Sequence, residues 1–436
     1  MKRLAGIVLA SLLVLGCSSA PPGPQAGEGV TAFVGATLID GRGPAIPNAV
    51  LVVRDGRIEA AGPASSVAVP AGAEEVDLTG KFVTPGLING HGHLGGAKGL
   101  QTGPEVYTDE NLREQAALYA RYGVTTVVSL GGDGPESFSL RDEQNTADLN
   151  RARLLLAGTI VTGNTPDAVR AVVNEDAAMK ADFIKIRVDD NLGTSKKMPP
   201  EIYQAVIEEA HKHNLPVAVH LYYLDDAKGV LRAGADFIAH SVRDKEVDDE
   251  LIAMLKERNI CLCPTLTREV STFVYESVPE FFSDPFFLRE ADSSVLEQLK
   301  APERQAAMQK SKSAQQYKKA LEMASVNLKK LSDAGVRIVM GTDTGPPARF
   351  QGYFEHLEMD LMAKAGLTPE QILASATKDA ADCLKLKEVG TLERGKWADF
   401  LVFSANPLEN IGNTKSLQSV WIAGNQVPSK EGGPTD

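Results

Sequence analysis

The stretch "FVTPGLINGHGHLGG", residues 82–96, runs through an apolar segment into Asn89-Gly90 and then sets two histidines one residue apart. Side chains alternate between the faces of a strand, so His91 and His93 project to the same side. Two imidazoles on one face can share a metal ion. The chain has only seven histidines in 436 residues. The pair is either a coincidence or the start of a ligand set, and the rest of the chain decides which.

Seven more segments read the same way: "VTTVVSL" (124–130), "RLLLAGTIV" (153–161), "DFIKI" (182–186), "PVAVH" (216–220), "DFIAH" (236–240), "ICLCPTL" (260–266) and "RIVMGTD" (337–343). Each is a nearly continuous apolar run, as expected of strands covered on both faces. Helical sequence lies between them, as in "PPEIYQAVIEEAHKHN" and "DKEVDDELIAMLKERN". With "FVTPGLI" (82–88) this makes eight strands alternating with helices, the pattern of an α/β (β/α)₈ TIM barrel spanning 83–389. An open doubly wound sheet is the alternative, but its Gly-rich dinucleotide fingerprint is missing after the first strand.

Both ends of the chain read as β. "AVLVVRDGRIEAAG" (49–62) is a hairpin around Asp55-Gly56. "ADFLVFSANP" (398–407) and "SVWIAGNQV" (419–427) are short strands, the second turning at Gly424-Asn425. Segments 30–82 and 390–430 are therefore expected to build one small β-sandwich around the barrel. The connection at 267–336 is too long for a simple turn and suits a lid over the mouth. Its Phe281, Phe282, Phe286 and Phe287 either line an apolar substrate pocket or pack the extra helices down.

The formal net charge is -12, from 57 acidic and 45 basic residues. That disfavours nucleic acid or an anionic membrane surface as partner. The first residues, "MKRLAGIVLASLLVLGCSSA", have a basic start, a short apolar run and small residues, the marks of a signal peptide (1–17). "VLGC" resembles a bacterial lipobox. Cys17 would then be lipidated, residues 18–29 would be a flexible tether, and the protein would be exported to the periplasm or the outer membrane. Its only membrane contact would be that anchor. Cys261, Cys263 and Cys383 are read as core packing rather than a disulfide framework.

The metal-capable residues fall at the C-terminal ends of the strand candidates: His91 and His93 after the first, His220 on the fifth, His240 on the sixth, Asp343 on the eighth. Lys185 sits inside the fourth, a poor place for a charge. A lone strand histidine such as His240 is ordinarily a packing residue, but six such positions on one face are a site. Imidazoles with a carboxylate suit Zn²⁺. A buried lysine can add CO₂ and become an anionic ligand between two ions, which could hold a shared hydroxide. Asp343 could take the water's proton and pass it to the leaving group. If Lys185 instead pairs with a carboxylate, the site is mononuclear and a heterocycle deaminase is the runner-up.

These positions resemble the amidohydrolase superfamily: the HxH after strand one, the lysine of strand four, histidines of strands five and six, the aspartate of strand eight. "GTLERGKWADFLVFSANPL" (390–408) and "HLEMDLMAKAGLTPEQILASAT" (356–377) resemble its C-terminal segments. The likeness runs from about residue 30 to 430 and is nearest to imidazolonepropionase-like and prolidase-like members. It implies two Zn²⁺ ions on His91, His93, carboxylated Lys185, His220, His240 and Asp343. It also implies hydrolysis of an amide-type C–N bond in a small peptide-like or cyclic substrate. Asn89 departs from the family, which usually has an acid there, and no histidine lies between His93 and His211. The contrasting class is a binding protein that kept the scaffold and lost turnover. Tyr222 and Tyr223, after His220, are candidate substrate contacts. His356 either touches substrate or packs, and Arg349 either binds a substrate carboxylate or is exposed. His211 and His213 read as solvated surface. A homo-oligomer is compatible with the sequence.

Overall fold

The computed structural model describes residues 29–430. The leader with Cys17 and the tether up to residue 28 lie outside them. The middle of the chain is α/β, with parallel strands covered by helices. Leu87–Gly92, Val124–Ser129 and Arg153–Leu156 form one parallel sheet. Ile160–Val161, Ile184–Arg187, Val217–His220, Phe237–Ala239 and Cys261–Cys263 form another. Isolated parallel bridges run from Leu262 to Ile338 and from Gly92 to Thr344. Residues 338–344 thus lie between the last strand of the second sheet and the first strand of the other. The seventh expected segment is short, and the eighth pairs through isolated bridges rather than as a continuous strand.

Two expected strands are broken, each at a glycine. "FVTPGLI" divides at Gly86. Phe82–Pro85 pairs with Phe400–Phe403, whereas Leu87–Gly92 joins the parallel strands. A Cβ on Gly86 would sit 2.1 Å from the Thr125 hydroxyl, so only glycine lets the chain cross here. "RLLLAGTIV" divides at residues 157–159, where Gly158 has φ 69°.

Strands from both chain ends meet in one hydrogen-bonded network of eight rather than two separate sheets. Its order is Asn425–Gln426, Leu417–Ile422, Phe400–Phe403, Phe82–Pro85, Val30–Leu38, Ile46–Arg54, Arg57–Pro63, with Glu74–Asp77 beside Val30–Leu38. The Asp55-Gly56 hairpin forms as read, because both residues adopt positive φ (50° and 76°). The later turn falls one residue earlier than expected, on Ala423-Gly424. Alternation decides what each face buries. Leu51 and Val53 enter one small core with Phe33 and Phe400, while Val50 and Val52 enter another with Val30. Leu401 and Phe403 point the other way from Phe400 and join the main core. A buried ion pair fastens this sheet to the parallel strands: Arg153 Nε donates to Asp399 Oδ2 at 2.7 Å, with the guanidinium over Trp397.

The long connection carries several helices, ending in Lys312–Asp333. Its Phe281, Phe282, Phe286 and Phe287 are buried among Tyr122, Phe350, Tyr353 and Phe354. Packing, not a pocket, is their role. No helix among the described residues is long and apolar enough to cross a membrane.

The reading of the cysteines is corrected at one pair. Cys261 and Cys383 are joined by a disulfide across 122 residues, and Cys263 is free and buried. The two partners come together only when the helix Lys378–Cys383 packs at the start of the Cys261–Cys263 strand, so spacing alone carried no signal. Breaking the bond should cost about 2–4 kcal/mol, the usual contribution of a native cross-link. Reductant should lower the melting temperature, and Cys383→Ser should reproduce the loss and remove the sensitivity to reductant.

Candidate metal centre

Six residues expected at the site converge from five segments of the chain. His93 Nε2 lies 2.9 Å from Asp343 Oδ1, and His91 Nε2 lies 3.5 Å from the same oxygen. His91, His93 and Asp343 each offer a ligand atom, all within 4.8 Å of one another. Lys185 Nζ is 3.3 Å from His91 Nε2. His240 continues the cluster, its ring centroid 4.7 Å from His91 and 4.1 Å from His220.

Each of the best-defined histidines is aimed by a fixed contact on its other side. His93 Nδ1 donates to Gly131 O at 2.9 Å. A carbonyl can only accept, so in the neutral ring Nε2 is a bare lone pair. That lone pair faces the Asp343 carboxylate, so the two donors share a cation, either a proton on the ring or a metal ion held by both. His240 Nδ1 is 2.6 Å from Thr265 Oγ1, and its buried Nε2 has no hydrogen-bond partner. Such outer contacts are how ligating imidazoles are normally oriented. The backbone is strained at the same places, with positive φ at His240 (103°), Thr265 (50°) and Asp343 (61°). Non-glycine residues hold such conformations only where their surroundings impose them, often at functional sites.

Electrostatics prepares the donors. Burial, then the Lys185 charge, lowers His91 well below the usual imidazole range. Burial, then His220, does the same to His240, and burial takes His220 down to about 3. Burial alone would raise Asp343, but the Arg349 guanidinium and the His93 contact hold it well below the usual carboxylate range. Burial brings Lys185 down to about 8. At neutral pH the buried imidazoles are neutral and the carboxylate is charged, the forms that coordinate metals.

Several other residues singled out in the sequence have definite partners. His356 is fully buried in the helix Tyr353–Lys364. Its Nε2 donates to Tyr122 O at 2.8 Å and its Nδ1 lies 2.9 Å from Thr414 Oγ1. Both nitrogens are committed, so it is a packing residue that ties this helix to the C-terminal segment. Arg349 is neither exposed nor free: its Nη1 donates to Asp343 O at 3.2 Å and to Asp343 Oδ2. Tyr223 donates to Asp190 Oδ1 at 2.8 Å. Tyr222 is buried against Arg243 and, with Tyr317, in a small core under the long helix. His211 and His213 lie on the surface, paired with Asp236 and Asn174. Gly90 and Gly92 make room for Val339 and Tyr119.

Two acids were missed. Asp189 is buried 3.3 Å from His220 Nε2 and accepts from Arg187 Nε at 2.7 Å. Burial opposes its charge, but His220 and Arg187 hold its carboxyl well below the usual range. Its place two and four residues after Arg187 and Lys185, just past the end of the strand Ile184–Arg187, was a readable signal. Asp133 accepts from Ser129 Oγ and from the amides of Ala157 and Gly158, fixing the loop that carries Gly131.

Residues 82–427 match the model of the amidohydrolase family, and the chain belongs to that family. An uncharacterised protein of Mycobacterium bovis is 26% identical over 234 residues, 52% of this chain and 60% of that protein, so the match spans under two thirds of its length. An imidazolonepropionase of Methylobacterium sp. is 25% identical over 82% of this chain and 88% of its own. A crystal structure from Bifidobacterium longum, provisionally assigned as a prolidase, superposes with a TM-score of 0.72 at 27% identity. It covers 93% of this chain and 96% of that one.

The packing role of His356 has a pH signature. Burial, the main cause, takes its pKa down to about 3, against about 6.5 in an unfolded chain. The unfolded state therefore binds the proton first as pH falls. Stability is full above about 6.5 and is lost downward toward 3, at up to about 1.4 kcal/mol per pH unit from this group. Urea unfolding at pH 7 and pH 5 should show that slope, and His356→Gln should shrink it by close to one proton.

Proposed function

We propose that this chain is a metal-dependent hydrolase of an amide-type C–N bond in a small peptide-like or cyclic molecule. The parallel strands, bridged through residues 338–344, are read as a closed (β/α)₈ barrel, with the site at their C-terminal ends. One observation carries the chemistry: His93 Nε2 and the Asp343 carboxylate face each other at 2.9 Å while His93 Nδ1 is already spent on Gly131 O. The residues fit a divalent cation, with the buried, unpartnered His240 Nε2 as a further donor aimed inward.

His91, His93 and Asp343 would hold one zinc-like ion, and His220 and His240 a second, with carboxylated Lys185 between. Such ions lower the pKa of water and polarise a carbonyl. Asp343, kept ionised by Arg349, accepts the proton of the attacking water and delivers it to the leaving nitrogen. Lys185 is buried and brought down to about 8, so its neutral amine is accessible near neutrality. Its reaction with CO₂ would give a carbamate and release a proton. Family membership supports hydrolysis, and the activities by which the relatives are named support amide-type bonds.

The chain is further read as exported and lipid-anchored through Cys17. The Cys261–Cys383 disulfide supports an oxidising compartment.

Protein purified after growth with zinc should hold tightly bound metal and hydrolyse a member of a panel of N-acyl amino acids, dipeptides and cyclic amides. His91→Ala should lose metal, and should lose activity beyond the roughly 10–100-fold that removal of an outer contact costs. A wild-type protein that takes up no metal sinks the mechanism. For Lys185, native mass spectrometry should show the added mass of one CO₂, absent in Lys185→Ala.

A further inference from the structure

The floor beneath the centre contains a carboxylate that the chemistry above does not use. Glu355, on the helix Tyr353–Lys364, is fully buried, and one oxygen, Oε1, accepts from three neutral donors. These are Asn89 Nδ2 at 2.6 Å, Thr342 Oγ1 at 2.8 Å and Thr344 Oγ1 at 2.8 Å. Its other oxygen, Oε2, is buried with no partner. A buried carboxylate without a basic neighbour is costly, so it either takes up a proton or is offset by a positive charge nearby.

The three donors lead directly to the centre. Asn89 Oδ1 accepts the backbone N–H of His91 at 2.9 Å, so the Asn89 side chain links Glu355 to the first ligand strand. Thr342 and Thr344 flank Asp343 in sequence, so the same carboxylate grips the loop that presents it. Tyr119 OH, 2.7 Å from Thr344 Oγ1, closes the network from behind. Neighbouring Glu358, also buried, is engaged elsewhere. It accepts from Leu266 N, Thr267 N and Thr267 Oγ1 and caps a short helix. Of these two acids, Glu355 alone reaches both ligand-bearing segments.

We propose that Glu355 is a positioning residue: through Asn89, Thr342 and Thr344 its buried negative charge holds His91 and Asp343 in place and raises the affinity of the centre for a divalent cation. This rests on the metal-dependent reading above. Asn89 is then half of a pair in which an amide on the strand receives its charge from a helix. Exchanging the two groups should preserve the function, because what the centre needs is one carboxylate and one amide in contact.

The test is zinc binding to metal-free protein, by calorimetry in competition with a chelator, for wild type, Glu355→Gln, Asn89→Asp and the double variant N89D/E355Q. Glu355→Gln is nearly isosteric and puts its NH₂ where Oε2 already lacks a partner, so it removes the charge while leaving the three acceptor contacts. It should weaken zinc about 10–100-fold, the usual cost of losing an outer-sphere partner. Asn89→Asp should also weaken it, by setting two carboxylates against each other. The double variant should recover affinity toward wild type, together with the wild-type absorption spectrum of the cobalt-substituted centre. Wild-type affinity in folded Glu355→Gln overturns the proposal, as does a lower melting temperature with unchanged zinc binding. A double variant no better than the singles overturns it too. If Glu355→Gln does not fold, the folded double variant decides by the same recovery. A wild-type protein that binds no zinc sinks the metal reading and this assignment with it, whereas normal wild-type binding with an unaffected Glu355→Gln removes only this assignment.

Discussion

The centre depends on one crossing of backbones, where residues 340–344 run beside residues 90–93. Gly90 N–H donates to Met340 O at 2.9 Å, Asp343 N–H to His91 O at 2.6 Å, and His93 N–H to Thr344 O at 2.8 Å. These bonds set the register of two segments about 250 residues apart in sequence, and with it the approach of Asp343 to both histidines. Gly341 lies at the crossing. A Cβ there would stand 2.4 Å from Cys263 Sγ and 2.8 Å from His91 N. The left-handed backbone of Asp343 follows from the same closeness, since the carboxylate must turn inward as soon as the crossing is passed.

Burial then divides the ionisable groups into two kinds. Imidazoles and an amine lose their charge most readily when desolvated, and here that makes them electron-pair donors at neutral pH. Carboxylates would also be driven neutral, and each that stays ionised has a named reason. Arg349 serves Asp343, and Arg187 with His220 serves Asp189. Glu355 has only neutral donors, and burial takes it up to about 7.

The strand-end residues were legible because a strand carries its own geometry in the sequence. Period-two alternation puts His91 with His93, and apolar runs ending in His220, His240 or Asp343 place those residues at one end of the strands. What was not legible came from contacts between distant elements. For His356 the sequence left substrate contact and packing both open, and Tyr122 and Thr414, which take both its nitrogens, decide for packing. The division of 82–88 at Gly86 depends on Thr125, a residue on another strand. Asn89 was recognisable as a departure, but its partner was not, since nothing in the local pattern links it to a glutamate 266 positions later.

The disulfide gives the chain an unusual continuity. Cys261 and Cys383 bracket the whole long connection as well as Asp343 and Glu355. Peptide-bond cleavage at any exposed turn between them, Val278 for instance, would leave two fragments still covalently one molecule. The helical cover over the strands is therefore the part of this protein that a protease could nick without separating the pieces of the centre.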